Sequence, residues 1–464
     1  MTDFASLLRP DRGETAHVIH LVDKASASDW LKRQSAPRRA LLEALRFEGK
    51  TAFQFAILPS DGETFEVVTT VSSIDQLSPW CLARLGEALP AGSYRLAAGS
   101  PGPAALGWLL GQHRFDRYRT TPDPGAGARI LLTSDPAAID RVVREAQATA
   151  LVRDLVDTPA ADLGPAELEA AVRALGDDNG AKVEVTQGDK LDRGYPMIAA
   201  VGRGATRDRA PRLIELHSGR DGDPLIAVIG KGVCFDSGGL DIKSASGMRL
   251  MKKDMGGAAH ALGLAHLIIA ERLPVRLHLL IPAVENSVSA AAFRPGDVIG
   301  SRRGLTVEID NTDAEGRLIL GDALTRAGEE NPELIIDFAT LTGAARIALG
   351  PDLPALFAND EEFANALLAA ATAVSDPLWR MPLWDGYDEM LKSSLADLSN
   401  AADSPMAGAV TATLFLRRFA PEGVAWAHLD TFAWRATAKP GRPKGGEALG
   451  LRAVYSALEA RFGR

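Results

Sequence analysis

The chain has 464 residues, 46% hydrophobic and 24% charged, which excludes a disordered, collagen-like or disulfide-stapled protein. With 60 acids against 51 Lys and Arg the formal net charge is −9, which argues against broad attraction to nucleic acid or an anionic membrane. The two cysteines, Cys81 and Cys234, can form neither a disulfide framework nor a cysteine zinc site, and they fit a reducing compartment.

At the N-terminus Asp3, Arg9, Asp11, Arg12 and Glu14 interrupt any apolar run that could resemble a signal-peptide core. Apolar runs elsewhere are too short to cross a bilayer, so the expected location is the cytoplasm. Residues 1–135 read as an N-terminal α/β domain. Within it, 51–58 and 64–71 have strand character around the turn Pro59-Ser60-Asp61-Gly62. Residues 78–89 and 103–112 read as helices, with Pro90 stopping the first. The stretch 120–128, with two Pro and two Gly, reads as a loop or linker. Across 1–135, 15 Lys and Arg balance 15 Asp and Glu, so this domain has no bulk positive charge with which to grip nucleic acid. A stripe of Ile139, Val142, Val143, Ala146, Leu151 and Leu155 predicts one long connecting helix at 136–158, closed by Thr158-Pro159.

Residues 159–464 read as a C-terminal catalytic domain. A helix at 165–175 carries Pro165 in its first turn. Strands are expected at 182–186, 212–216, 225–229, 275–282, 306–309, 334–338 and 424–429. Helices are expected at 255–271, 318–329, 361–373, 387–394 and 410–418. This alternation predicts an α/β fold: a smaller N-terminal α/β domain joined by a long helix to a larger domain with a mostly parallel central sheet covered by helices on both faces.

Three segments of the second domain concentrate acids and glycines. The first, 229–239, runs from a buried strand into what reads as a loop with Lys231, Asp236 and four glycines, followed by Lys243. Loops at the carboxyl ends of sheet strands form the ligand crevice of α/β proteins. The second, 251–259, places Asp254 at the entry of an Ala- and Gly-rich helix, where an ordinary N-cap is the simplest reading. The third, 311–318, reads Asn-Thr-Asp-Ala-Glu-Gly-Arg-Leu. If extended, it projects Asp313, Glu315 and Arg317 to one side. Asp236, Asp254, Asp313 and Glu315 together balance two divalent ions in formal charge, the recipe for a two-metal centre. None of the eight histidines lies in these segments, and oxygen ligands leave Zn, Mn, Mg and Co open. His428 reads as a structural histidine, Cys234 as a buried filler and Arg302-Arg303 as a solvated hairpin turn.

Segments 230–239, 252–259 and 311–318 resemble the signature segments of the leucyl aminopeptidase (cytosol aminopeptidase) family of two-metal exopeptidases. The octapeptide at 311–318 is that family's diagnostic sequence and is intact. Residues 153–160, 294–297, 339–344, 382–384 and 426–430 fall in the family's order. The likeness covers roughly 136–464, and before that 114–118 is its clearest point. The resemblance implies a metal-dependent aminopeptidase that hydrolyses the N-terminal residue from short peptides through a two-metal-activated water. Lys231, Asp236, Asp254 and Glu315 would bind one ion, and Asp236, Asp313 and Glu315 the other, with Zn or Mn expected. Lys243 and Arg317 match the catalytic positions, Arg317 acting through a bound bicarbonate. Met251, Thr340 and Gly343 would line the pocket for the first side chain. The resemblance also implies a homo-hexamer. Two alternatives are another two-metal hydrolase, such as a phosphoesterase, and a DNA-binding or structural role within the family. The acidic balance disfavours the latter.

Overall fold

The structure is a computed structural model that describes residues 2–60, 62–121 and 127–463, so part of the expected turn at 59–62 and of the expected loop at 120–128 lies outside the described residues. Two compact units emerge. One comprises Met1–Ala150 with Ala436–Lys444, the other Leu151–Arg435 with Gly445–Arg464. The helix Ile139–Asp157 runs from one into the other. Among the described residues no helix is long and apolar enough to cross a membrane.

The first unit holds a six-stranded sheet made of β1 (Leu8–Pro10), β2 (His17–Val22), β3 (Phe55–Pro59), β4 (Phe65–Thr70), β5 (Gly92–Leu96) and β6 (Arg129–Thr133). The order is β1-β6-β5-β2-β4-β3, antiparallel only at the β3–β4 hairpin. Only that hairpin was expected from the sequence. In β2 the histidines break the apolar alternation: His17 stacks on Phe65 with ring centroids 3.6 Å apart, and His20 pairs with Glu66 at 2.9 Å. The expected helices shrink to Ala83–Ala88 and Ala104–Leu110. The second is wholly buried, and its Trp108 Nε1 donates to the Arg129 carbonyl at 2.9 Å.

The larger unit is built on nine strands. They are β7 (Lys182–Gln187), β8 (Arg212–Ser218), β9 (Leu225–Gly230), β10 (Gly232–Asp236), β11 (Arg276–Asn286), β14 (Leu334–Ala339), β15 (Ala355–Ala358), β16 (Trp379–Arg380) and β18 (Ala425–Asp430). A separate small sheet holds β12 (Val298–Gly300), β13 (Thr306–Glu308) and β17 (Leu398–Ser399). The centre of the large sheet, β18-β14-β9-β11 with β10 beside β11, is parallel. The edges turn antiparallel at β11–β8, β8–β7 and β15–β18. Every residue of β9 and β14 is buried, as expected of strands inside an α/β sheet. Helices Gly256–Ala270 and Glu315–Gly328 both pack on β9 and β11. The second buries Leu318, Ile319 and Leu324 with Ala227 and Ile229 in the main core.

Four expectations are corrected here. The glycine-rich segment after β9 is not an open loop, because residues 232–236 pair with β11 as β10. Strand β11 continues past Pro282 to Asn286, held by β8 and β10 on either side. The helix expected at 387–394 is a 3₁₀ helix, Asp385–Leu391, whose Asp385 and Asp388 are drawn to Arg417 at 2.6 and 3.1 Å. Arg302 is no solvated turn residue: it pairs with Glu329 at 2.7 Å and lies 4.3 Å over the Tyr195 ring.

Candidate metal centre

The charged residues converge where β9, β10 and β14 end. Lys231 sits between β9 and β10, its backbone N–H donating to Phe338 O and its carbonyl accepting from Ala258 N, both at 2.9 Å. Two glycines make this junction possible. A Cβ on Gly257 would stand 2.2 Å from the Phe338 carbonyl, and one on Gly316 would stand 2.6 Å from Lys231 Cε. The Lys231 ammonium lies 2.7 Å from Asp254 Oδ2, 2.8 Å from Glu315 Oε1 and 3.3 Å from the Thr340 carbonyl. Burial alone would pull this lysine's pKa down, but the carboxylates of Asp254, Glu315 and Asp236 outweigh it and push it up.

On the other side Lys243 pairs with Asp236 Oδ2 at 2.7 Å and with Asp313. Asp236, Asp313 and Glu315 bring ligand oxygens within 4.8 Å of one another. The octapeptide is not extended there, since a helix begins at Glu315 and puts Glu315 and Arg317 in its first turn. The side chain of Asp254 is no helix cap. It accepts from Thr340 Oγ1 at 2.8 Å and Lys253 Nζ at 3.1 Å, and its charge is held well below the usual carboxylate range by Lys231 against the cost of burial.

This donor set fits divalent ions. Burial, followed by repulsion from Asp236, pushes the carboxyls of Asp313 and Glu315 above their ordinary values. The oxygens that face Lys231 do so off hydrogen-bond geometry, and Glu315 Oε2 is buried without a hydrogen-bond partner among the described residues. Crowded oxygens with spare lone pairs are what a divalent ion would take up.

Lys231, Met251, Asp254, Arg317, Thr340 and Gly343 line one cavity of about 370 Å³ together with Asp236, Lys243, Asp313 and Glu315, so all the expected site residues meet there. A larger cavity, about 500 Å³ beside Arg220, Arg272 and Tyr455, is lined by Asp223, Glu271 and Glu459, which form no close-set donor group among the described residues. Burial brings the Arg317 guanidinium down to about 10, still cationic at neutrality. Its Nη1 donates to Asn400 O at 2.7 Å, while Nε is buried without a hydrogen-bond partner.

Several supporting residues escaped the sequence reading. Asn286 Nδ2 donates to Asp236 Oδ1 at 2.9 Å and to the Thr312 carbonyl at 3.1 Å, aiming that carboxylate. Asn400 accepts from Asp310 N and donates to Asn311 O, fastening the octapeptide. Asp430 accepts from Leu341 N at 2.9 Å and Thr342 Oγ1 at 2.6 Å, holding the loop that carries Thr340. Each acts across 26 to 90 residues of sequence, so no local pattern marks it. His428 is structural as expected: it is buried, it bonds Asp337 at 2.5 Å, and that carboxylate raises its pKa against burial. Cys234 is fully buried, and that burial pushes its thiol away from the reactive thiolate form.

Comparison with known proteins identifies the family. The profile of the cytosol aminopeptidase family, catalytic domain, matches residues 150–455. That of the M17 aminopeptidase N-terminal domain matches 18–132. A probable cytosol aminopeptidase of Syntrophotalea carbinolica is 42% identical over 76% of this chain and 73% of its own. One from a Mycobacterium species (strain JLS) is 35% identical over 99% of this chain and 97% of its own. Among solved structures, the cytosol aminopeptidase from Coxiella burnetii superposes with a TM-score of 0.92 at 44% identity, covering 98% of this chain and 99% of that one. The bottromycin maturation enzyme BotP in complex with Mn gives 0.86 at 32% identity, covering 96% and 100%. With both domain profiles matched in order and the acid-rich centre in place, this chain belongs to the cytosol aminopeptidase (M17) family.

Proposed function

We propose a residue-by-residue reading of this metal-dependent aminopeptidase. Lys231, once it has given up the proton that its carboxylate neighbours stabilise, would hold one divalent ion with Asp236, Asp254 and Glu315, and Asp236, Asp313 and Glu315 would hold a second, with Asp236 and Glu315 common to both sets. When bound, Zn or Mn ions supply a Lewis acid for the peptide carbonyl and a water acidic enough to attack it at neutral pH. Lys243 then meets the charge that develops on the carbonyl oxygen, at a place already shaped for it. Arg317, with its free Nε, holds a small anion such as bicarbonate that passes the proton on. Met251, Thr340 and Gly343 shape the pocket for the first side chain. The free α-amine of the substrate completes the Lys231 side of the centre, which limits action to unblocked N-termini.

The observation that carries this reading is the convergence of four carboxylates and three lysines in one cavity, with Glu315 Oε2 buried and without a hydrogen-bond partner. The chemistry belongs to a catalytic domain at 159–464, with 1–135 a separate domain and 136–158 the connector. Short peptides are the substrates, the cytoplasm the location and a homo-hexamer the assembly. The exposed Ile347, Trp384, Leu395 and Met406 support association through the larger unit, and sedimentation measures it. The deciding experiment assays aminoacyl anilides, dipeptides and N-acetylated dipeptides with Zn, Mn, Co and Mg in turn. Full activity in a chelated preparation, or equal cleavage of the blocked peptides, overturns the reading. The family comparisons give no support to a phosphoesterase or DNA-binding role, and a gel shift at two salt concentrations tests the second.

A further inference from the structure

At the far end of β11 a second group of ligand-type side chains meets. Glu215 and His217 lie two apart on β8, hence on one face, and His278 of β11 is the direct cross-strand partner of His217. The two imidazoles stack with centroids 4.3 Å apart. Ligand atoms of Glu215, His217 and His278 all lie within 4.8 Å of one another. His278 is fully buried. Its Nε2 meets Glu215 Oε1 at 3.0 Å, while its Nδ1 has no hydrogen-bond partner and stands 3.5 Å from Glu330 Oε2. His217 is half-buried.

We infer that Glu215, His217 and His278 form a second, structural site for a divalent transition-metal ion, with Glu330 as the fourth ligand. It is distinct from the centre described above. His278 and Asn286 lie eight residues apart on β11, about 27 Å at strand rise. Two imidazoles and carboxylates select zinc-like ions over calcium or magnesium. A tetrahedral ion with bonds of ~2.0–2.1 Å holds its ligands roughly 3.3 Å apart, so the donors must close by up to about 1.5 Å. Rotation of the half-buried His217 and of Glu330 supplies that movement. Arg326 competes, since its Nε lies 2.9 Å from Glu215 Oε1 and its Nη2 2.7 Å from Glu330 Oε1. Glu184 on β7, opposite Glu215, adds negative charge to the same face, and Lys182, opposite His217, opposes it. Glu330 follows the helix that starts at Glu315, so the ion would tie the distal end of that helix to the sheet.

The test counts zinc in the full-length protein after dialysis against Zn2+ and gel filtration. In an Asp236→Ala/Glu315→Ala background, which removes both shared ligands of the other centre, one equivalent should remain. Adding His217→Ala should remove it, with affinity falling at least tenfold. An Asp236→Ala/Glu315→Ala protein that binds no zinc, or equal zinc after His217→Ala, overturns the inference. Should that background fail to fold, His217→Ala alone decides. Its zinc content should fall by one equivalent while aminopeptidase activity stays, and unchanged zinc content overturns the inference.

Discussion

Gly316→Ala isolates the placement of Lys231 from the stability of the fold. The added Cβ would stand 2.6 Å from Lys231 Cε and 2.7 Å from Nζ, where ordinary contact begins near 3.4 Å. The lysine tip must therefore retreat by about 0.8 Å, away from oxygens that it now meets at 2.7 and 2.8 Å. A misplacement of that size in a catalytic constellation costs up to ~10²-fold, or about 2.7 kcal/mol of barrier. Stability should barely change. Alanine in a helix gains roughly 0.5–1 kcal/mol over glycine, and overpacking costs about 1–3 kcal/mol. A flexible lysine end keeps the second figure low. The expected result is kcat/KM on a leucyl anilide down by 10- to 100-fold, with a melting temperature within a few degrees of the parent. Metal content, measured on the same samples, shows whether the loss runs through ion retention. Activity within twofold of the parent would refute the claim that the position of Lys231 matters. A loss of activity that merely tracks unfolding would refute it equally.

Asp313→Ala or Glu315→Ala should abolish metal retention and activity together, whereas Lys243→Ala should lower turnover with metal content largely intact; elemental analysis beside kinetics separates the two. Glu447 is buried between Arg153 (2.9 Å) and Arg435 (3.1 Å); Arg435 also pairs with Asp352 at 3.0 Å, so Glu447→Ala strands chiefly the buried Arg153 guanidinium and should destabilise the larger unit by about 3 kcal/mol, read by urea denaturation. Burial pushes the Asp322 carboxyl up to about 7, against hydrogen bonds from the backbone N–H groups of Arg302, Ile198 and Met197. The folded state thus binds a proton that the unfolded chain has released. The Asp322 contribution is fully present below about pH 4 and is lost as pH rises through 7. Relative to the parent, Asp322→Asn should gain stability across that window, and a constant difference from pH 4 to 8 contradicts the assignment.

What the sequence made legible follows from the range of the forces involved. Strands β9 and β14 announced themselves because a strand buried on both faces must be apolar at every position, a purely local property. The chemistry of 311–318 was equally plain, since two acids and an arginine spaced by small residues have few other uses. Its conformation was not, because the helix starting at Glu315 depends on Gly316 giving way to Lys231 from 85 positions upstream. Strand β10 shows the same limit. Its glycines read as a loop until β11 supplies hydrogen-bond partners, and Gly232 is then needed because a Cβ there would stand 2.6 Å from the Pro282 carbonyl.

The site divides along the same line. Charged residues set among glycines and alanines in an otherwise apolar stretch are conspicuous in a sequence: Lys231, Asp236, Asp254, Asp313 and Glu315 stood out for that reason. Asn286, Asn400 and Asp430 work by hydrogen-bonding backbone or a single carboxylate, as asparagines and aspartates do in ordinary turns. Nothing in their composition distinguishes the two uses. Their positions imply a division of labour. The ligand-type residues follow β9 and β10 or open helices, where the backbone is fixed by the sheet. The orienting residues stand on different strands, β11 and β18, and just after β17. Asp236 is thereby held from two elements, its own strand β10 and Asn286 of β11, so loosening one strand alone should misdirect this ligand without exposing it. Asn286→Ala would leave Asp236 paired only with Gly238 N and Lys243. The expected consequence is weaker metal retention in a protein whose thermal unfolding is little changed, and a metal affinity equal to that of the parent would show that Asp236 needs no such aim.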